Sequence, residues 1–347
     1  MYDYPVDSMD YFRYLIASNE GIHSMGNSLY RYVAMKVPSL VDSETYEKIV
    51  IRACFDRSKG VSEKEKNGKL FNYMRPTAFI DNNTLVVNVF PGIDYLYHYG
   101  NILSTYLNLC NRQVNIQYTP ATEEVCWDEI RKSNINDIPI VHTVIMGYVE
   151  GLQFLSNDKV WSGDGAFLWK TVRLPVGDAL LLGCKHTYWG EIAGRVVLFL
   201  AEKGIKRIVY SGKLGALNPK LIPNKMLATG NMSILPNGKV VKWNNLFEKL
   251  KHDSVFHGVH ATIPSVLQET KAWAVENMHK ISFVDPEIGH MAVAANKANI
   301  EFSYLHIISD NLSTKFDADL SNERKPDVLS DRMKLCNIIG DAIKELN

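Results

Sequence analysis

Three acidic residues follow two apolar runs near the C-terminal end of the chain. Asp285 and Glu287 come directly after one run, and Asp310 follows the second, residues 302–308. A carboxyl group at the end of a buried strand can exchange a proton with a ligand or hydrogen-bond its hydroxyl groups. Ligands of open α/β sheets bind outside the carboxyl ends of strands. The three acids therefore predict a ligand site, although acids after strands also cap helices, and the spacing alone favours neither interpretation.

A glycine-containing segment, residues 211–216 with the sequence SGKLGA, is a second candidate. Gly212 and Gly215 would let the backbone approach a ligand and leave amides exposed to an anion. Lys213 would add a positive charge to the same loop. A tight turn with a solvent-facing lysine explains the segment equally well.

Residues 258–270 are a third candidate, in which a strand ends at Thr262 and a helix opens near Ser265. Ile263 could form one wall of a pocket for a flat ring, whereas His260 is more typical of a hydrogen-bonded core histidine. The chain has no Ser-His-Asp spacing, phosphate-binding P-loop or zinc-ligand set. We therefore expect no metal, and we expect the carboxyl groups to act alone as hydrogen-bond partners or as a general acid.

The composition argues against a general binder of nucleic acid or of membrane surfaces. The chain has 347 residues, 46% of them hydrophobic, and its 38 basic residues balance its 38 acidic residues. Five scattered cysteines form no metal or disulfide spacing and favour a reducing compartment. No apolar run is long enough for a transmembrane helix, and no signal peptide is recognisable. We expect a cytoplasmic protein.

The length favours two domains, and the pattern changes at residues 134–137. We place an N-terminal region of unknown role at residues 1–137 and the main domain at residues 138–347. The N-terminal pattern predicts helices at residues 9–17, 43–55, 93–109 and 122–133 and strands at residues 84–90 and 113–118. The segment from residue 84 to residue 118 is then a βαβ-like unit.

The pattern from residue 138 onward alternates strands with helices. Strands are predicted at residues 138–147, 167–174, 178–183, 207–211, 225–233, 239–242, 256–262 and 302–308, and a further short strand ends in the acidic turn of residues 284–287. Helices are predicted at residues 191–203, 265–278, 288–299 and 328–345. This alternation predicts an α/β fold with a mixed central sheet flanked by helices on both faces.

These segments, in this order, resemble the nucleoside phosphorylase/nucleosidase superfamily, which includes purine nucleoside phosphorylases, uridine phosphorylases and methylthioadenosine nucleosidases. Residues 211–216 look like the family's T-G-x-x-G-G loop, and residues 284–287, VDPE, resemble its V-E-M-E segment. Ser309 and Asp310 match its S-D pair. The resemblance covers residues 138–345 and leaves residues 1–137 without a counterpart.

The resemblance implies cleavage of the N-glycosidic bond of a purine-type nucleoside or nucleotide. Glu287 matches the acid that binds the ribose hydroxyl groups, and Asp310 matches the acid that protonates the leaving base. The remaining positions implied in substrate binding are Asp285, Pro286, Ser309, Ile263, Thr262, Gly212 and Lys213. The resemblance also implies a small nucleoside-like substrate, no cofactor apart from phosphate as an optional co-substrate, and a homo-oligomer.

Three departures from the family pattern keep alternatives open. Lys213 stands where a small or hydroxyl residue is usual, Asp285-Pro286 replaces Glu-Met, and Tyr210 occupies a position where phosphorylases often have arginine. Hydrolysis and phosphorolysis both remain open. So do a different reaction in which residues 1–137 complete the site, and a nucleoside-binding module without catalysis.

Overall fold

The computed structural model describes residues 23–43, 45–317 and 325–346. The helix that we predict at residues 9–17 lies outside these ranges. The α-helices of the described residues are α1 (Leu29–Ala34), α2 (Ile93–Leu109), α3 (Glu123–Lys132), α4 (Glu191–Glu202), α5 (Lys271–Asn277), α6 (Ile288–Ala298) and α7 (Pro326–Lys344).

The N-terminal part contains a four-stranded sheet in the order β2-β3-β1-β4. Its strands are β1 (Lys48–Ala53), β2 (Thr77–Asp81), β3 (Thr84–Val89) and β4 (Asn115–Thr119). The predicted strand–helix–strand unit is confirmed as β3, α2 and β4. β1 lies between β3 and β4 and is parallel to both.

The helix that we predict at residues 43–55 is wrong, because this segment contains strand β1. Ile49, Ile51 and Ala53 are buried, whereas Lys48 and Arg52 are exposed. This two-residue period and the β-branched side chains suit a strand between two neighbours. The apolar residues also fit a helical spacing, and only the pairing with β3 and β4 decides between the two.

A five-stranded sheet forms the centre of the C-terminal part. Its strands run in the order β16 (Glu301–Tyr304), β8 (Arg207–Ser211), β5 (Thr143–Gly147), β7 (Gly177–Cys184) and β6 (Phe167–Leu174). β6 and β7 form the predicted antiparallel hairpin, and the other neighbours are parallel. Helices α4 and α6 cover one face and α7 covers the other. The predicted α/β fold class is confirmed.

A second, eight-stranded sheet continues from the first. Its order is β12 (Val240–Lys242), β11 (Met232–Ile234), β14 (His260–Thr262), β15 (Phe283–Asp285), β9 (Lys213–Ala216), β17 (His306–Asn311), β10 (Leu227–Thr229) and β13 (Val255–His257). The chain passes from the first sheet to the second at Gly212, between β8 and β9, and again at Leu305, between β16 and β17. These crossings bring β15, β9 and β17 side by side.

Several predicted elements are divided in the structure. The strands predicted at residues 225–233, 256–262 and 302–308 each become two short strands, and the helix predicted at residues 265–278 becomes a 3-10 turn followed by α5. Apolar periodicity does not mark where the chain changes its neighbours within one sheet, as at residues 230–231 and 258–259, or where it changes sheets, as at Leu305. Among the described residues, no helix is long and apolar enough to cross a membrane.

Candidate active site

Asp285 ends strand β15 and holds the start of helix α6. Its Oδ1 accepts hydrogen bonds from the backbone N–H groups of Glu287 at 3.0 Å and Ile288 at 2.9 Å. Thr262 supports the same helix, because its Oγ1 accepts the N–H of Gly289 at 2.9 Å. Asp285 therefore caps the N-terminus of helix α6, which is one of the two roles that the sequence suggested for it.

Two histidines flank the buried Asp285 carboxylate. His260 Nε2 lies 3.1 Å from Oδ1, and His306 Nε2 lies 3.7 Å from Oδ2. Burial would raise the pKa of Asp285, but the hydrogen bond and charge of His260, the charge of His306 and the helix N–H groups lower it overall. Burial lowers the pKa of His306 to about 4. Among the described residues, no three His, Cys, Asp or Glu side chains are arranged to hold a metal ion.

Glu287 is the half-buried residue immediately before helix α6. Its Oε2 lies 3.5 Å from the hydroxyl of Tyr210, and its carboxylate accepts the backbone N–H of Gly190. Burial raises the pKa of Glu287 well above its ordinary value, and the negative charge of Asp285 adds to this rise. The Glu287 carboxyl group therefore favours the protonated form, in which it can donate as well as accept a hydrogen bond.

Asp310 lies on β17 beside the central strand β9. The register between these strands shifts after Ile308, and the bulge brings Asp310 opposite Gly215. Ser309 donates a hydrogen bond from Oγ to Asp310 Oδ1 at 3.0 Å. A Cβ atom on Gly215 would lie 2.8 Å from Leu312 Cδ1, 3.2 Å from Val284 Cγ1 and 3.4 Å from Asp310 Oδ2, so neighbouring side chains pack directly over this glycine. Val284, on the other side, also pairs with Gly215.

A fourth acid, Glu269, lies near Asp310. Only 4% of Glu269 is exposed, and burial together with the charge of Asp310 raises its pKa well above the ordinary value. Tyr32 of helix α1 lies close enough to both acids to be affected by their charges. Burial raises the pKa of Tyr32 most, and the negative charges of Glu269 and Asp310 raise it further. A residue of the N-terminal part therefore reaches the surroundings of Asp310.

The N-terminal part meets the start of helix α6 at a second point. Asp94, at the beginning of α2, places Oδ2 3.0 Å from Nε2 of His290. His290 is one turn beyond Glu287 on α6. Both members of this pair are buried.

The remaining predicted site residues are distributed unevenly around these acids. Residues 213–216 form strand β9 and not the predicted loop, so their backbone groups pair with β15 and β17 instead of forming an anion nest. Gly212 has a structural role, because a Cβ atom there would lie 2.7 Å from His306 Nε2. Lys213 is half-buried, and Ile263 and Pro286 are buried next to Asp285.

Sequence reasoning did not identify His306, Glu269 or Asp94 as part of this site. His306 carries a weak signal, since it lies in the predicted strand of residues 302–308, which precedes Asp310. Asp94 follows the Pro91-Gly92 turn after a strong strand, which is the kind of strand end that marks Asp285. Glu269 carries no signal, because a single acid near a helix start is ordinary.

No protein-family model matches the chain. Among curated proteins, it is similar to Oxidoreductase cns1 of Cordyceps militaris, with 23% identity over 263 residues. The match covers 67% of this chain and 33% of that protein, so the chain spans about a third of the length of this curated relative.

Several solved structures are similar to this chain. The 5′-methylthioadenosine/S-adenosylhomocysteine nucleosidase of Campylobacter jejuni has a TM-score of 0.47 and 14% identity, and covers 59% of this chain and 99% of its own. A futalosine hydrolase mutant of Helicobacter pylori has a TM-score of 0.47, 14% identity and coverages of 59% and 100%.

The Neisseria meningitidis nucleosidase in complex with methylthio-immucillin-A has a TM-score of 0.45 and 14% identity, and covers 59% of this chain and 100% of its own.

Proposed function

We propose that this protein cleaves the N-glycosidic bond of a purine-type nucleoside or nucleotide. The observation that carries the proposal is the arrangement of Glu287 and Asp310. Both acids are half-buried. Glu287 follows strand β15 and Asp310 lies on strand β17, and these two strands are the neighbours of strand β9. A small ligand that contacts both acids would meet one at its sugar and the other at its base.

Asp310 is the proposed general acid. The bond between the sugar C1′ and the base nitrogen breaks, its electron pair moves to the base, and Asp310 donates a proton to the purine N7. The oxocarbenium-like sugar is then attacked at C1′ by water, which releases a proton that restores the Asp310 carboxyl group, or by phosphate in a phosphorolytic reaction, after which solvent reprotonates Asp310. Ser309 supports this role, because its hydrogen bond orients the Asp310 carboxyl group.

Glu287 is the proposed ribose-binding acid. Its raised pKa gives a carboxyl group that exchanges hydrogen bonds with sugar hydroxyls in either direction. Asp285 and Thr262 contribute indirectly, since both hold the N-terminus of the helix that follows Glu287. They are positioning residues in this proposal and not substrate contacts.

A panel of adenosine, inosine, methylthioadenosine and adenosine 5′-monophosphate, each with and without phosphate, tests the proposal by chromatography of the released base. We expect release from at least one compound and a loss of about 10²–10⁴-fold in kcat for Asp310→Asn. Asp253→Asn is the matched control, because Asp253 is an exposed aspartate far along the chain from both acids. No release from any compound would refute the proposal.

A second candidate is a different reaction in which the N-terminal part completes the site. It is favoured by the approach of Tyr32 to Asp310 and by the Asp94–His290 contact. The curated relative is named an oxidoreductase, so the same panel should include NAD⁺ and NADP⁺. Reduction of either nucleotide by a nucleoside, without release of base, would select this candidate.

A further inference from the structure

Two consecutive backbone N–H groups at the start of helix α4 donate to carboxylates from different parts of the chain. The N–H of Gly190 donates to the side chain of Glu287, which directly precedes α6. The N–H of Glu191 donates to Oδ2 of Asp94, in the first turn of α2, at 3.0 Å. The turn at residues 190–191 therefore links the proposed ribose-binding acid to an acid of the N-terminal part.

The same oxygen of Asp94 also contacts helix α6. It lies 3.0 Å from Nε2 of His290, which is one turn beyond Glu287. Asp94, Glu191 and His290 are 0%, 1% and 2% exposed, so water does not compete for these contacts. One buried carboxylate oxygen thus meets the first turns of α4 and α6. Glu287 depends on the same two helix starts, because it accepts an N–H at one and directly precedes the other.

The turn at Gly190 is shaped to admit the Asp94 side chain. Its φ of +68° lies in the region that favours glycine, and a Cβ atom on Gly190 would overlap the side chain of Asp94. Helices α4 and α6 also share one buried cluster, to which Ile192, Ile288 and Met291 belong. Packed interiors transmit small displacements, so a shift of the turn also shifts the start of α6.

We propose that Asp94 is a positioning residue of the candidate active site, where it holds the turn at Gly190 and the start of helix α6 so that the Glu287 carboxyl group meets the ribose of the substrate. The N-terminal part then acts on the site by fixing the geometry of an acid that the C-terminal part supplies. The inference rests on the proposed function, because that function gives Glu287 its role.

The groups that act on Glu287 from other elements give this proposal a measurable sign. Burial raises the pKa of Glu287 most, and the negative charges of Asp285, on β15, and of Asp94, on α2, raise it further. The N–H of Gly190 and the hydroxyl of Tyr210, on β8, donate to the carboxylate and lower its pKa. Loss of the Asp94 charge therefore lowers the pKa of Glu287, whereas loss of the Gly190 hydrogen bond raises it.

Asp94→Asn and Asp94→Ala separate these two effects. Both variants lack the negative charge, but only asparagine keeps an oxygen that can accept the N–H of Glu191. The pKa of Glu287 should fall in Asp94→Asn. In Asp94→Ala the turn is released and Glu287 loses the Gly190 hydrogen bond, so its acid dissociation constant should be about tenfold smaller than in Asp94→Asn. A role of Asp94 in stability alone predicts equal constants in the two variants.

NMR of the full-length protein labelled with isotopic glycine measures this ionisation without turnover. The Gly190 N–H reports the charge of the carboxylate that it contacts, and its resonance is the one whose titration above about pH 4.3 disappears in Glu287→Gln. Asp158→Asn and Asp158→Ala are the matched controls, because exposed Asp158 also accepts a backbone N–H, that of Thr171 at 2.7 Å. Both should keep the wild-type midpoint.

A second pair of variants repeats the comparison from helix α6 and decides the question if Asp94→Ala does not fold. His290→Gln and His290→Leu are both uncharged, but only glutamine keeps an N–H donor for Asp94. The Gly190 resonance should titrate at a higher pH in His290→Leu than in His290→Gln, because the start of α6 is released only in the leucine variant. Equal midpoints within each pair that folds would overturn the proposal.

Base release then connects the position of Glu287 with catalysis. If the proposed function is correct, the limb of the kcat/KM profile that follows Glu287 should move in each variant with the NMR midpoint. Midpoints that differ as expected, without release of base from any compound, would refute the proposed function and leave the positioning role standing. Equal midpoints with normal release of base would overturn the positioning role and leave the proposed function standing.

Discussion

The carboxylate of Asp94 lies 3.0 Å from Nε2 of His290 and joins the N-terminal part to the helix that begins after Glu287. Asp94 also takes part in a reciprocal arrangement at the starts of helices α2 and α4. Glu191 accepts the backbone N–H of Ile93 at 2.6 Å and that of Asp94 at 3.2 Å, and its own N–H donates to Asp94 at 3.0 Å. Each helix is capped by an acid of the other.

Asp94→Ala should therefore destabilise the protein strongly. The substitution removes the carboxylate that His290 and the backbone N–H of Glu191 both contact, and breaking a buried pair in this way costs about 3–5 kcal/mol. Urea unfolding measures the change. Asp128→Ala is the control, because Asp128 forms an exposed pair with Arg131 at 3.3 Å that should contribute about 1 kcal/mol or less. Equal losses in the two variants would contradict the prediction.

Tyr210→Phe should shift the pH dependence of catalysis. The Tyr210 hydroxyl lies 3.5 Å from Glu287 and helps to lower a pKa that burial and Asp285 raise. Without the hydroxyl, the pKa of Glu287 rises further, so any limb of the kcat/KM profile that follows Glu287 ionisation moves to higher pH. Profiles of base release against pH measure this shift. Tyr30→Phe, at an exposed tyrosine, should leave the profile unchanged.

His186 should reduce stability in acid. Burial lowers its pKa from 6.5 to about 4, with the charges of Arg57 and Lys185 acting in the same direction. The folded protein thus keeps His186 neutral, while the unfolded chain binds a proton as the pH falls below 6.5. Stability is lost between pH 6.5 and 4, and His186→Gln should lose less over this interval. The Tm of the wild type and of His186→Gln, measured between pH 6.5 and 4, tests this prediction. His279→Gln, at an exposed histidine, is the control.

Regular elements with long periodicity were predictable from the sequence. Helix α2 and strand β8 have the predicted bounds. The apolar spacing of α2 continues over seventeen residues and fits only a helix, and the dense apolar run of β8 fits a buried strand. The prediction that Glu287 follows a short strand is confirmed, whereas Asp310 lies within strand β17 and not after the predicted strand of residues 302–308. The capping role of Asp285 was one of two interpretations, and its hydrogen bonds select it.

Long-range relationships were not predictable in the same way. Strand β1 depends on pairing with two strands more than thirty residues away, and a short apolar segment carries no mark of such partners. Glu269 and Asp94 acquire their significance only from neighbours brought by the fold. The conversion of residues 213–216 from a loop into β9 has the same origin, since β15 and β17 supply its hydrogen-bond partners.

Glu269→Gln should stabilise the protein at neutral and alkaline pH. Burial and the charge of Asp310 raise the pKa of Glu269, so the folded protein favours the protonated carboxyl group. The stability from this group is complete below the unfolded pKa of about 4.3 and is lost as pH rises through the folded pKa. Glutamine has a similar shape and no charge to lose.

The Tm of Glu269→Gln should therefore fall less steeply than that of the wild type as the pH rises from about 4.3 through the raised pKa of Glu269 in the folded protein. Glu276→Gln, at an exposed glutamate near the end of α5, should follow the wild type. Removing the buried acid should also separate stability from activity. If Glu269 has no role in catalysis, base release by Glu269→Gln stays unchanged. If Glu269 supplies protons to Asp310, the kcat of Glu269→Gln falls while its Tm rises. Parallel losses of Tm and kcat would contradict the assignment of Glu269 as a buried protonated acid.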